Sequence, residues 1–147
     1  MKCFRFYKKK GKYYFLGSGL TSWAPNAARS FSADTLTGSW TALGNPCAGV
    51  NPENKLGPEK TFGGQSTFVL PVQGLKDAYI AMFDIWRPRN PIDGRYIWLP
   101  VTFTDKGFGV EWLKEWDLGV FKKSDAVSKP SPAGDSLKAA SGDDVGQ

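Results

Sequence analysis

The side chains able to do chemistry in this sequence are few, and what is missing narrows the field first. There is no histidine, and the two cysteines, Cys3 and Cys47, stand far apart. A Cys/His zinc site therefore lacks its ligands, and neither a Ser-His-Asp nor a Cys-His nucleophile can be assembled. No metal and no cofactor is expected. Cys3 and Cys47 are able to pair in one disulfide between the first strand and a long loop, a bond that a secreted location favours. The six tryptophans and the 14% aromatic content point to β structure, and a sugar-binding surface is one use such rings can have. Flat apolar rings stack on pyranose faces, but for any single Trp the commoner fate is buried area between sheets. In Gly17-Ser-Gly19, small residues at a strand end let a ligand approach the backbone. Trp23-Ala-Pro-Asn26 then offers a stacking ring and an amide, which either binds a sugar hydroxyl or anchors its own loop. Asp84 and Trp86 stand at the equivalent strand end further on, where Asp84 either binds a hydroxyl or pairs with Arg87 or Arg95. Glu111 and Glu115 read as solvent-facing residues beside Trp112 and Trp116, not as a catalytic dyad, because function collects in loops.

The elements that must position these residues are strands. One four-strand cadence occurs twice, at 3–43 and 65–117, and neither copy looks complete alone. The first runs Cys3-Phe-Arg-Phe-Tyr7, a Lys10-Gly11 turn, Lys12-Tyr-Tyr-Phe-Leu16, the loop with Trp23, Arg29-Ser-Phe-Ser32, a turn at 34–38 and Ser39-Trp40. The second runs Ser66-Thr-Phe-Val-Leu70, a Gln73-Gly74 turn, Ala78-Tyr-Ile-Ala-Met82, Arg95-Tyr-Ile-Trp98, a turn at 104–107 and Val110-Glu-Trp112. A four-stranded antiparallel unit recurring roughly every 60 residues is the signature of propeller blades, which need a ring to bury their faces. The expected fold is thus all-β, part of a larger domain, with Tyr14, Leu16, Phe68, Leu70, Tyr79 and Trp98 between the two sheets. No helical apolar period appears. The Gly/Pro/Asn-rich connection 44–64 is long for a compact domain and is expected to serve the site. Residues 122–147 hold no aromatic residue and are rich in Ser, Pro, Ala, Gly and Asp, so they read as a disordered tail or linker behind a domain at 1–121.

The net charge of +5 and the cluster Lys8-Lys-Lys-Gly-Lys12 raise the question of nucleic acid. Lysines at a hairpin turn are ordinary solvated residues that also protect a sheet edge, and no nucleic-acid motif accompanies them. Apolar stretches do not exceed strand length, so no membrane span is expected. Met1-Lys-Cys-Phe-Arg5 lacks the apolar run and cleavage site of a signal peptide.

Four stretches carry a resemblance to a known family. Lys9-Lys-Lys-Gly-Lys-Tyr-Tyr-Phe-Leu-Gly-Ser-Gly-Leu-Thr-Ser-Trp-Ala-Pro-Asn26 resembles a segment of glycoside hydrolase family 43, as do Thr61-Phe-Gly-Gly-Gln-Ser-Thr-Phe-Val-Leu70, Asp84-Ile-Trp86 and Arg95-Tyr-Ile-Trp-Leu-Pro100. The nearest branch is that of the galactan exo-β-1,3-galactosidases, and the resemblance spans about residues 4–121. It implies a five-bladed propeller with its active site at one end of the central channel, of which 3–43 and 65–117 are the last two blades. It also implies hydrolysis with inversion, by a general acid on the leaving oxygen and a base activating water opposite. The substrate would be galactan or arabinogalactan side chains, and the full-length protein would be secreted.

The family's acid is a Glu just ahead of the strand that begins near Cys3, a position at or before Met1, so this chain is expected to be inactive alone. It would need the missing N-terminal blades or would self-associate. In this branch a glutamine has been placed in the water-activating role, and Gln65 matches it. A neutral amide is a poor proton acceptor, so the role requires a tautomer shift or water positioning alone; the other fate of such a side chain is to bond backbone groups at the strand start. Gly17, Gly19, Trp23, Asn26, Asp84 and Trp86 would contact the sugar. The alternative readings are a non-catalytic carbohydrate-binding or scaffold protein and a lectin-like module that completes a ring by oligomerising.

Overall fold

Alternating apolar residues and tight turns build the first sheet. The structure is a computed structural model that describes residues 5–9 and 11–122. Strands β1 (Arg5–Lys9), β2 (Lys12–Ser18), β3 (Ala28–Ala33) and β4 (Thr41–Gly44) lie in that order in one antiparallel sheet. The β1–β2 turn uses Gly11 at φ +82, a left-handed value that suits glycine. Four strands of the first expected unit are therefore present in sequence order, but the last starts at Thr41, beyond the expected Ser39-Trp40, which precede the strand.

The connection to the second unit is ordered by its own side chains. Asn45, Asn51 and Asn54 each accept, at Oδ1, the backbone N–H two residues on, at 3.0 Å in each case. Such Asx turns let asparagine replace the strand ladder as a backbone partner. Between them lie the short strand β5 (Cys47–Ala48) and, after them, a 3-10 turn at Pro58–Gly63. Cys47 is buried, and burial pushes its thiol from 9.0 to about 12. Cys3 and residues 123–147, to which the disulfide and the tail expectations refer, lie outside the described residues.

The second unit departs from the expected pattern. Strands β6 (Gln65–Pro71), β7 (Tyr79–Ile85) and β8 (Arg95–Pro100) form a sheet of three, not four. The chain bends between Pro100 and Thr102. Beyond the bend, β9 (Thr102–Thr104) and β10 (Gly107–Glu111) make a hairpin at the expected turn, and β10 also pairs in parallel with β5. The physical reason lies at the bend: Pro100 has no N–H to offer a further partner, and the Val101 N–H bonds back to Tyr79 O at 2.9 Å. The third strand is thus split, one half pairing with β7 and the other with β10.

The core between the units contains Leu16 and Ala28 from the first sheet and Val69, Ala81, Phe83, Ile97 and Leu99 from the second, with Phe62 and Val110 beside them. Tyr14 and Tyr79 pack against it as expected. Leu70 and Trp98 do not: they are 37% and 51% exposed, and Phe68 is half-buried. A register shift between Ser66 and Phe68 changes which residues of β6 face inward. On β8 both alternating sets are apolar, and the structure buries Ile97 and Leu99 instead of Trp98. A smaller cluster joins Phe121, Trp116 and Val120 to Ala78 and Ile80.

Candidate functional site

The loop from Gly19 to Ala27, between β2 and β3, meets the start of β6 and the end of β7 at one rim. Asn26 closes this loop. Its Oδ1 accepts the Gly19 N–H at 2.6 Å, and its Nδ2 donates to Thr21 Oγ1 at 2.6 Å. The Thr21 hydroxyl in turn donates to Ala24 O at 2.6 Å. Asn26 therefore anchors its own loop through one acceptor and one donor, leaving its second Nδ2 hydrogen and second Oδ1 lone pair unused by these bonds. A side chain at Gly19 would bring its Cβ to 3.0 Å from Asn26 Oδ1, so the Asn26 amide would have to shift to keep the clasp. Gly17 sits lower, inside the β2–β3 ladder opposite Arg29, and is a strand residue rather than a rim residue.

Gln65 opens β6, is 8% exposed, and faces that loop. Its Nε2 donates to Ser22 O at 3.2 Å and to Ala24 O at 2.8 Å. Among the described residues its Oε1 takes no hydrogen bond. The approach to Gln65 is unusual backbone. Thr61 and Phe62 are both left-handed, with φ 48 and 59, and both are buried. Non-glycine residues in that region cost about 1–3 kcal/mol each and persist only when the surroundings compel them. Gly63 follows at φ +96, and a Cβ there would lie 2.6 Å from Asn54 Nδ2. Asn54 Nδ2 donates instead to Phe62 O at 2.8 Å, and the Thr61 hydroxyl donates to Asn26 O at 2.6 Å.

Across the β6–β7 ladder, Asp84 is the partner of Gln65. It does not pair with either arginine: Arg87 and Arg95 both form ion pairs with Asp93. Asp84 stays exposed, with the Thr67 hydroxyl at 3.5 Å from its Oδ1. Trp86, two residues on, lies against Trp23 with ring centroids 5.3 Å apart and planes inclined at 41°. Trp23 and Trp86 nonetheless remain 56% and 41% exposed. Glu111 and Glu115 are exposed, as expected for residues outside the site.

The rim thus brings together Gln65, Gly19, Trp23, Asn26, Asp84 and Trp86, with Gly17 set back. It offers a wet aromatic surface, one carboxylate and one amide oxygen, the set of groups by which a neutral sugar is held by stacking and hydroxyl bonds. Thr61 and Thr21, which tie the rim together, were not singled out from sequence. The one available signal was the position of Thr61 at the head of the Thr61-Phe-Gly-Gly-Gln65 run.

The fold defined by these elements is all-β, with few helical turns, in sheets of the kind found in part of a propeller. No protein-family model and no curated protein matches the chain. Solved structures do. A GH43 β-1,3-galactosidase solved with galactodeoxynojirimycin is 44% identical with a TM-score of 0.70, over 79% of this chain and 32% of that one. A second GH43 β-1,3-galactosidase is 32% identical with a TM-score of 0.75, over 84% and 25%. An exo-β-1,3-galactanase from Phanerochaete chrysosporium, solved with β-1,3-galactotriose, is 30% identical with a TM-score of 0.61, over 74% and 23%. In sequence and fold the described residues match a segment of glycoside hydrolase family 43, among its β-1,3-galactosidases and exo-β-1,3-galactanases. The chain spans about a third or less of the length of these relatives.

Proposed function

We propose that the chain supplies two blades and part of the substrate rim of a glycoside hydrolase that removes galactose from β-1,3-galactan or arabinogalactan with inversion. The observation that carries this reading is the convergence of Gln65, Trp23, Asp84 and Trp86, from three separate stretches that resemble the family, at one rim. Inversion needs an acid to protonate the leaving oxygen and a group holding water on the opposite face. The acid is expected from outside the described residues.

For the water, the geometry of Gln65 favours orientation over proton abstraction. Both hydrogens of its Nε2 point at carbonyl oxygens, Ser22 O and Ala24 O. The imidic-acid tautomer would strip one of those hydrogens and set a nitrogen lone pair against a carbonyl lone pair, which is repulsive. The amide form, held by the loop, keeps Oε1 as an acceptor that fixes a water hydrogen. Trp23 and Trp86 would then stack on the sugar, and Asp84 would accept a hydroxyl. Asn26 and Gly17 also hold the scaffold, Asn26 through its loop bonds and Gly17 in the β2–β3 ladder.

The face of the second sheet that carries Leu70, Tyr96 and Trp98, which are 37%, 71% and 51% exposed, is where a further blade would pack. Ile80 on the same face is already covered by Phe121, Trp116 and Val120, and for the 147-residue chain alone a second copy is the expected occupant of the rest. The test is a complete domain carrying these residues, incubated with β-1,3-galactan, with the anomer of the released galactose followed by NMR. Release of the inverted anomer supports the proposal. A folded domain that binds galactan and releases nothing would favour the non-catalytic carbohydrate-binding alternative, which the two loop bonds of Gln65 would also suit.

A further inference from the structure

The left-handed turn ahead of β6 breaks a local rule, and what it gains is a hydrogen bond to the rim. Glycine or asparagine would adopt the backbone of residue 61 with less strain than a β-branched residue. Threonine stands there nonetheless, buried, at φ 48 and ψ 47. Several bonds hold the turn in place: Phe62 N–H to Gly57 O at 3.0 Å, Gly64 N–H to Thr61 O at 2.9 Å, and Asn54 Nδ2 to Phe62 O at 2.8 Å. The buried ring of Phe62 also packs on Trp112, with centroids 5.4 Å apart. From this fixed base the Thr61 hydroxyl reaches across 35 residues of sequence to the carbonyl of Asn26, at 2.6 Å. Asn26 is the residue whose amide closes the loop bearing Trp23. Gln65, four residues beyond Thr61, grips the same loop from the other side.

We propose that Thr61 is a positioning residue of the rim. Its hydroxyl, acting through the Asn26 carbonyl, sets the Trp23 loop against the start of β6 so that Trp23 and Gln65 face one ligand. A local rule broken at a site and compensated by its surroundings is the pattern expected of functional geometry. The turn and its neighbours form one rigid block, and Thr61 transmits that rigidity to a loop whose tip, Leu20 to Ala24, is exposed. The consequence for catalysis rests on the reading of the rim given above. The geometry does not.

The test uses the 147-residue chain. Thr61→Val keeps the β-branched shape and removes the hydroxyl, whereas Thr61→Ser keeps the hydroxyl. Amide hydrogen exchange is followed at Gly19 and Ala24 in the loop and at Phe83 and Leu99 in the core, together with the proton–proton contact between the Trp23 and Trp86 rings. Thr61→Val is expected to speed exchange at Gly19 and Ala24 by roughly five- to tenfold, the effect of one net hydrogen bond. Core amides should keep their rates, and the Trp23–Trp86 contact should weaken. Thr61→Ser should restore both. Unchanged loop exchange in the valine variant, or an equal acceleration of loop and core, overturns the proposal. Where Thr61→Val fails to fold, Thr61→Gly suits the backbone and also lacks the hydroxyl; a tight loop in that variant overturns the proposal too. Gln65→Ala in the complete domain decides separately whether the rim hydrolyses galactan, so the two readings fail independently.

Discussion

Replacing Gln65 with alanine separates the two things this side chain does. The substitution removes donors to Ser22 O and Ala24 O. Both carbonyls belong to exposed residues, so water replaces the lost partner and no buried acceptor is orphaned. Each bond is then worth its net value, about 0.5–1.5 kcal/mol, and the pair about 1–3 kcal/mol. A domain with the usual margin of about 5–15 kcal/mol remains folded at 25 °C under that loss, with a melting temperature lower by several degrees. Turnover is a different quantity. Losing the group that orients water is expected to cost roughly 10²–10⁴-fold, which at about 1.36 kcal/mol per decade is about 3–5 kcal/mol of barrier. Substrate affinity should change far less, because the oriented water matters mainly in the transition state. The assay is galactose release from β-1,3-galactan by a complete domain carrying the substitution, at saturating substrate, normalised to folded protein, beside a thermal melt. Gln65→Glu sharpens the contrast. It retains an acceptor oxygen but sets a second oxygen against two carbonyls, so it should loosen the loop more than alanine does. A melting temperature lowered as calculated, with turnover per folded molecule within about threefold of the parent, would refute the catalytic assignment and leave Gln65 a loop anchor.

Four further outcomes follow from the packing. Phe83, fully buried between the units, should cost about 3–5 kcal/mol on truncation to alanine, measured by urea unfolding, while Leu70→Ser on the open face should cost less than about 0.5 kcal/mol. Cys47 should resist alkylation in the folded chain at pH 8 and react fully in denaturant. Its proton is retained by the folded state up to about pH 12 but released by the unfolded state above about pH 9, so this group leaves stability constant below pH 9 and lowers it as pH rises from 9 to 12. Asn26→Ala should speed exchange at the Gly19 amide, which loses its acceptor, and weaken the Trp23–Trp86 ring contact, since the loop bearing Trp23 loses its closing amide. The 147-residue chain should self-associate in sedimentation experiments, and Trp98→Glu on the open face should shift it towards monomer.

Much of the architecture can be read before any coordinates, because strand alternation and turn chemistry are local. The four strands of the first unit and the hairpins at Gln73-Gly74 and Asp105-Lys106-Gly107 fall where Gly, Asn and Asp interrupt apolar runs. The resemblance carried by Thr61–Leu70, Asp84–Trp86 and Arg95–Pro100 was equally legible, and the solved structures agree with it. The missed details share one cause. Residues 95–100 are apolar on both alternating sets, so periodicity could not choose between Trp98 and the pair Ile97 and Leu99 for the core. The bulge after Ser66 shifted the phase of β6 without any glycine or proline to mark it.

Residue types alone left a Cys/His zinc site and histidine-based catalysis without their groups in this chain, set its strands and turns, and put aromatic rings and an amide in the loops that became the rim. Only the tertiary structure decided how those groups are spent. Asn26 turned inward to hold Gly19 and Thr21, Asp93 took both arginines from Asp84, and Gln65 gave both its hydrogens to a loop some 40 residues earlier in the chain. Each outcome depends on a partner distant in sequence or on competition among several local ones. Hydrogen-bond capacity is written in a residue's chemistry, but the partner that claims it is set by which backbone the fold brings within about 3 Å.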